Sequence, residues 1–153
     1  MAGGPSFASV AARMREISKG SVKVGLLQNA GTTPDGTPLT EIGAVHEFGT
    51  LDGHIPQRSW LRSTFRRTDA ARKQFTAELV KKVLKGSVSV ERALGLLGAW
   101  AVARVQETIV QRLTEGPENQ ANAPSTIAAK GSSTPLVDTG QLKNAISFQV
   151  VRK

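Results

Sequence analysis

Two short stretches carry residue types that could do chemistry. Asp138-Thr139-Gly140 is the triplet of aspartic proteases, and it follows the apolar pair Leu136 and Val137, as in the retroviral-type enzymes. That chemistry needs two aspartates sharing one proton at a dimer axis, with a closed β-fold after the triplet to build core and flaps. Only 13 residues follow Gly140, and the chain before it reads as largely helical. The role expected of Asp138 is therefore to cap the turn Thr139 to Asn144, its carboxylate accepting from backbone N–H groups. His46-Glu47 opens like the helix motif of zinc proteases, whose second histidine stands four residues after the first. That place is Thr50, and His54 lies beyond Gly49 and Gly53. His46 reads instead as a partly buried structural residue.

The chain has no cysteine and two histidines, and it has no G-x-S-x-G, phosphate loop or G-x-G-x-x-G. Nucleophilic catalysis lacks its usual parts. The expectation is a protein that is not an enzyme and has no catalytic residue, metal or cofactor. Aromatic residues make up 5% of the chain, too few for a base-stacking surface.

Charge points to partners. The formal net charge is +8, and Arg58 to Lys85 holds nine basic residues against two acidic ones, nearly the whole surplus. Arg58, Arg62, Arg66, Arg67, Arg72 and Lys73 are the candidates for contact with a neighbouring subunit, because the guanidinium fork pairs with carboxylates through two bonds. Facing DNA, they would bind phosphates without reading bases. A solvated helix face is the third reading of the same stripe.

These residues have to be positioned by elements legible in the pattern. Phe7, Val10, Met14 and Ile17 recur at helical spacing over Pro5 to Ser18, with Gly20 as the stop. Val22, Val24 and Leu26 alternate in a strand, Ser21 to Gln28. The loop Asn29 to Pro38 carries Pro34-Asp35-Gly36 turn chemistry. Leu39 to Phe48 reads as a brief helix with Thr40 as cap and Ile42, Val45 and Phe48 inward. Trp60 to Leu84 reads as one long helix and Val90 to Leu113 as a second, the latter with Val90, Leu94, Leu97, Ala101, Val105 and Ile109 inward. Glu118 to Pro135 is a long stretch poor in apolar anchors, expected to order on assembly as an arm. Ile146, Phe148 and Val150 form the last strand. The fold class is α+β: a small antiparallel sheet packed against two long helices, in one domain over residues 1–153. Two strands alone make a marginal sheet, so further strand is expected from residues 29–57 or from a neighbouring subunit.

No leader is expected, because Arg13, Arg15 and Glu16 interrupt the first apolar stretch. The longest charge-free apolar run, Ala93 to Ala103, has 11 residues, against about 20 for a bilayer crossing. The expectation is a protein made in the cytoplasm and not held in a membrane.

Three motifs in order carry a resemblance. They are Ala44-Val45-His46-Glu47-Phe48-Gly49-Thr50, then Ile55-Pro56-Gln57-Arg58-Ser59-Trp60-Leu61-Arg62, then Ala123 to Ser133 running into Pro135-Leu136-Val137-Asp138-Thr139-Gly140-Gln141-Leu142. This set, spanning residues 40–150, resembles the phage neck and tail-completion proteins, a family of tail components and virion morphogenesis proteins. Trp60 departs from it, standing where phenylalanine is commoner. The resemblance implies a virion structural protein at the head–tail interface (neck, tail-completion or tail-terminator) without catalytic residues. It implies a cyclic homo-oligomer, with a hexamer favoured by tail symmetry, that joins connector or stopper proteins to the tail tube. In that setting His46, Glu47, Phe48, Gly49, Pro56, Trp60, Asp138, Thr139 and Gly140 are structural. The chain would reside in the virion, and in the host cytoplasm during assembly. The alternative is a free basic DNA-binding protein without sequence specificity.

Overall fold

The computed structural model describes residues 4–111 and 140–153. In chain order these form α1 (Phe7–Ser18), β1 (Gly20–Leu26), α2 (Leu39–Phe48), α3 (Trp60–Arg67), α4 (Asp69–Lys85), α5 (Val90–Val110), α6 (Gln141–Ala145) and β2 (Ile146–Arg152). The class is α+β, as the periodicities require.

α5 is the axis of the molecule. Ser89 caps it, accepting from the Arg92 N–H at 3.1 Å, and Glu91 sits in its first turn where the helix dipole favours an anion. By length and composition α5 could cross a membrane, but Ala93, Ala101, Val105, Thr108 and Ile109 are buried against other elements. β1 and β2 pair antiparallel from Gly20↔Arg152 to Leu26↔Ile146. The pleat turns Val24, Leu26 and Ile146 to the core formed with Trp60, Val105, Ile109 and Leu142, and brings Phe148 onto α5 at Gly98. The other face carries Ser21, Lys23, Ser147 and Gln149. A second cluster, Leu79, Val83 and Ala93, joins α4 to α5. Phe75 stacks on Trp100 there, with centroids 5.7 Å apart.

The stretch expected as one helix from Trp60 to Leu84 is two. α3 ends at Thr68 (φ −97°, ψ 11°), whose hydroxyl donates to the Thr64 carbonyl at 2.7 Å. A side-chain hydroxyl bonded back to residue i−4 bends a helix, and Asp69 suits the first turn of the next. α2 starts at Pro38 with no side-chain cap, so Thr40 is not its cap. Its buried face is Leu39, Gly43 and Glu47, and Phe48, expected inward, is 65% exposed. α1 has no buried residue, and Phe7 and Met14 face outward. Gly20, expected to stop α1, opens β1 instead. Residues 29–57 supply only an isolated bridge, Thr32↔Pro38, and no strand. Among the described residues the sheet therefore has two strands.

Two glycines one turn apart on α5 test the packing. A Cβ on Gly98 would lie 2.2 Å from Cδ2 of Phe148, whereas one on Gly95 meets nothing within 4 Å. Gly98→Ala is expected to lower stability by about 1–3 kcal/mol through overpacking, and Gly95→Ala to raise it by up to about 1 kcal/mol through helix propensity. Urea denaturation of the pair checks the opposite signs.

Candidate functional site

The first two motifs meet in one place. α2 ends where Gly49 turns the chain (φ 74°), and a Cβ there would lie 2.9 Å from the Gln57 nitrogen. The loop then closes on itself: the Thr50 N–H donates to the Ile55 carbonyl at 2.9 Å, and the Ile55 N–H to the Thr50 hydroxyl at 2.9 Å. The Arg58 N–H reaches back to the His46 carbonyl at 2.6 Å. This fold-back carries the start of α3 onto the end of α2, directly over Glu47.

Glu47 is 4% exposed and its carboxylate is fully engaged. Oε2 accepts the Leu61 N–H at 2.8 Å; Oε1 accepts the Arg62 N–H at 3.1 Å, Arg62 Nε at 2.8 Å and the Ser59 hydroxyl at 3.1 Å. Arg62 Nη2 also donates to the Glu47 carbonyl at 3.1 Å. The first N–H groups of a helix have no partner within it. In α3 the Trp60, Leu61 and Arg62 N–H groups are all satisfied, since Trp60 N–H donates to the Arg58 carbonyl and Glu47 takes the other two. Ser59, at the cap position, spends its hydroxyl on Glu47 rather than on the helix, so the cap is delivered from α2. The Trp60 indole N–H donates to the Gly43 carbonyl at 3.0 Å. α2 approaches α3 and β1 this closely because position 43 has no side chain: a Cβ would fall 3.3 Å from Cζ2 of Trp60 and 2.2 Å from Cδ1 of Leu26.

The basic residues then divide. Arg62 stacks its guanidinium over the exposed Phe48 ring at 4.8 Å, and Arg72 stands 5.8 Å over Phe65. Arg66, Arg67 and Lys73 are exposed residues. Arg67 nonetheless reaches α5, with Nη2 donating to Thr108 Oγ1 at 2.7 Å, where the Thr64 hydroxyl also lies at 2.7 Å. Lys73 and Arg72 both bind Asp69, at 2.7 and 2.5 Å, and hold its carboxyl below the usual range. Arg58 does not join the stripe. It is 7% exposed, no carboxylate among the described residues pairs with it, and burial lowers its pKa. It precedes α3, so the helical spacing that placed it beside Arg62 does not apply.

Between these side chains runs a groove. Leu61, Arg62, Phe65, Arg66, Asp69 and Arg72 line a depression of about 710 Å³. It adjoins one of about 360 Å³ lined by Val22, Val24, Phe65, Arg72, Leu97 and Ala101. The floor is apolar and the rim is guanidinium.

His46 is half-buried at the end of α2, and Pro56 lies exposed in the fold-back. Gly140 takes a left-handed conformation (φ 74°) and starts α6, its carbonyl accepting the Asn144 N–H at 2.9 Å. Asp138, Thr139 and the stretch 118–135 lie outside the described residues. Among the described residues no three metal-ligating side chains converge. Sequence reasoning missed Glu47 as an anchor, since nothing in its spacing pairs it with residues 12 to 15 positions later. The buried Thr64–Thr108 contact was equally hidden, although Ser63, Thr64 and Thr68 are of the types whose hydroxyls bond back to the carbonyl four residues earlier, as all three do.

Comparison with protein-family models, with curated proteins and with solved structures finds no match to this chain.

Removing the Glu47 carboxylate strands two helix N–H groups and the Arg62 guanidinium. Glu47→Ala is expected to lower stability by about 2–4 kcal/mol. Glu47→Gln, which keeps one acceptor oxygen, is expected to lose clearly less. Thermal and urea unfolding of both variants check this ordering.

Proposed function

We propose that this chain is a structural protein of a tailed-phage virion, working at the head–tail interface as a ring of copies that joins the connector to the tail tube. The observation that carries the reading is the Glu47 clasp. It makes one rigid unit of the H-E-F-G-T and I-P-x-R-x-x-L-R stretches on which the family resemblance rests. Both oxygens of the Glu47 carboxylate are committed to holding helices, which suits an assembly element rather than a general base. The two-stranded sheet agrees: among the described residues neither strand has a second neighbour, and unpaired strand edges invite pairing with another chain. The exposed Arg66, Arg67 and Lys73 favour a second reading, a basic protein that grips duplex phosphates without reading sequence.

Sedimentation velocity of the purified full chain over a range of concentrations, followed by negative-stain microscopy, separates the two. Closed rings, with six copies favoured, are expected. A monomer at every concentration that binds any duplex, with affinity falling steeply as salt rises, would replace the ring with the second reading.

A further inference from the structure

The loop between α2 and α3 holds an apolar side chain out of the molecule. Leu51 is fully exposed and Phe48, at the loop's base, is 65% exposed. The loop that presents Leu51 is not slack. Gly53 N–H donates to the Thr50 carbonyl at 3.0 Å, and the Thr50–Ile55 pair closes the loop behind it. Asp52, next to Leu51, accepts the His54 N–H at 3.1 Å, and its carboxylate stands 3.3 Å from Nδ1 of the exposed His54 ring. An ordered loop that displays Leu51 and, at its base, Phe48 beside an acid has the form of a plug.

The groove on α3, α4 and β1 has the complementary form. Its floor is Leu61, Phe65, Leu97 and Ala101, and its rim carries Arg62, Arg66 and Arg72 against the single acid Asp69. The plug and the groove adjoin on one copy, where Arg62 lies over Phe48. Leu51 does not occupy its own groove, because it is fully exposed. We infer that Leu51 of one copy docks in the arginine-rimmed groove of a second copy, with Asp52 against the rim. The two surfaces are different patches of one chain, and in the proposed ring the contact runs head-to-tail, each copy giving its loop to one neighbour and its groove to the other. Repeated around an axis, such a contact closes into a ring. This deepens the proposed function and rests on the reading that the chain assembles with itself.

The chain has no cysteine, so introduced thiols report only the contact under test. Leu51→Cys and Arg66→Cys chains, one carrying a larger tag, are mixed and treated with a short bis-maleimide, with Lys81→Cys as the control partner. Both positions are exposed, so the variants are expected to fold. The expected product is the mixed Leu51–Arg66 dimer, in excess over the Leu51–Lys81 product and over either like-with-like product. Leu51→Asp is expected to weaken self-association by about tenfold to a hundredfold, in line with losing one buried leucine, while Leu51→Met retains it. Bridges formed only between two Leu51→Cys chains would overturn the docking in favour of a two-fold contact. Absence of any Leu51 bridge while the wild-type chain still sediments as a ring would overturn the docking and leave the ring reading intact. A wild-type chain that stays monomeric would remove both.

Discussion

The arrangement of α2, α3 and the loop between them depends on one buried carboxylate. A helix that starts in the interior leaves its first N–H groups without partners unless something supplies acceptors, and leaving them bare costs more than most single contacts return. Here the acceptor is Glu47, which comes from the end of the preceding helix and takes the Leu61 and Arg62 N–H groups together with the Arg62 side chain. The consequence extends outward. With α3 docked at that angle, Trp60 enters the core beside Val105 and Ile109, and Arg62 and Arg66 stand on the outer surface. The same fold-back leaves Phe48 and Leu51 projecting. An internal need for hydrogen bonds thus sets the chemistry of the exposed face.

Close approach elsewhere follows a similar logic. Gly43 lets α2 lie against Leu26 and Trp60, and Gly98 lets Phe148 of β2 lie flat on α5. These contacts bind a sheet of only two strands to a helix of 21 residues. Such a sheet is stable when it packs against a helix, and α5 supplies that support. Next to β1, half-buried Leu97 of α5 lines an open groove with Val22 and Val24, so the two strands leave part of the apolar surface of the helix uncovered. In the proposed assembly that surplus surface is where the next copy binds.

The broad plan was legible in the sequence because it rests on periodicity. Val22, Val24 and Leu26 on one strand and Ile146 and Phe148 on the other announced the sheet, and α5 announced itself through Ala101, Val105 and Ile109. Legibility failed where a long-range bond decided the outcome. At Thr68 the backbone leaves helical values while its hydroxyl bonds back to Thr64, and the apolar spacing runs on across the break. Phe48 looked like a core residue by type and spacing, but Glu47 occupies the inward position and leaves the ring outside beneath Arg62. Arg58 looked like part of a basic stripe, yet it lies before α3 begins and is buried. Of the candidate contact residues, Arg66 and Lys73 lie on the surface, and Arg62 and Arg67 reach it while also tying elements together.

Amide hydrogen exchange, resolved residue by residue in the full chain, tests the dependence on Glu47 most directly. N–H groups in the first turn of a helix normally exchange quickly, because they lack partners. The account predicts that the Leu61 and Arg62 amides exchange only when the whole domain opens, as slowly as those of Val105 and Ile109 in the middle of α5. Exchange of Leu61 and Arg62 at the rate of the exposed first turn of α1 would contradict it, since the two motifs would then not be joined and the surface they present would have no fixed shape.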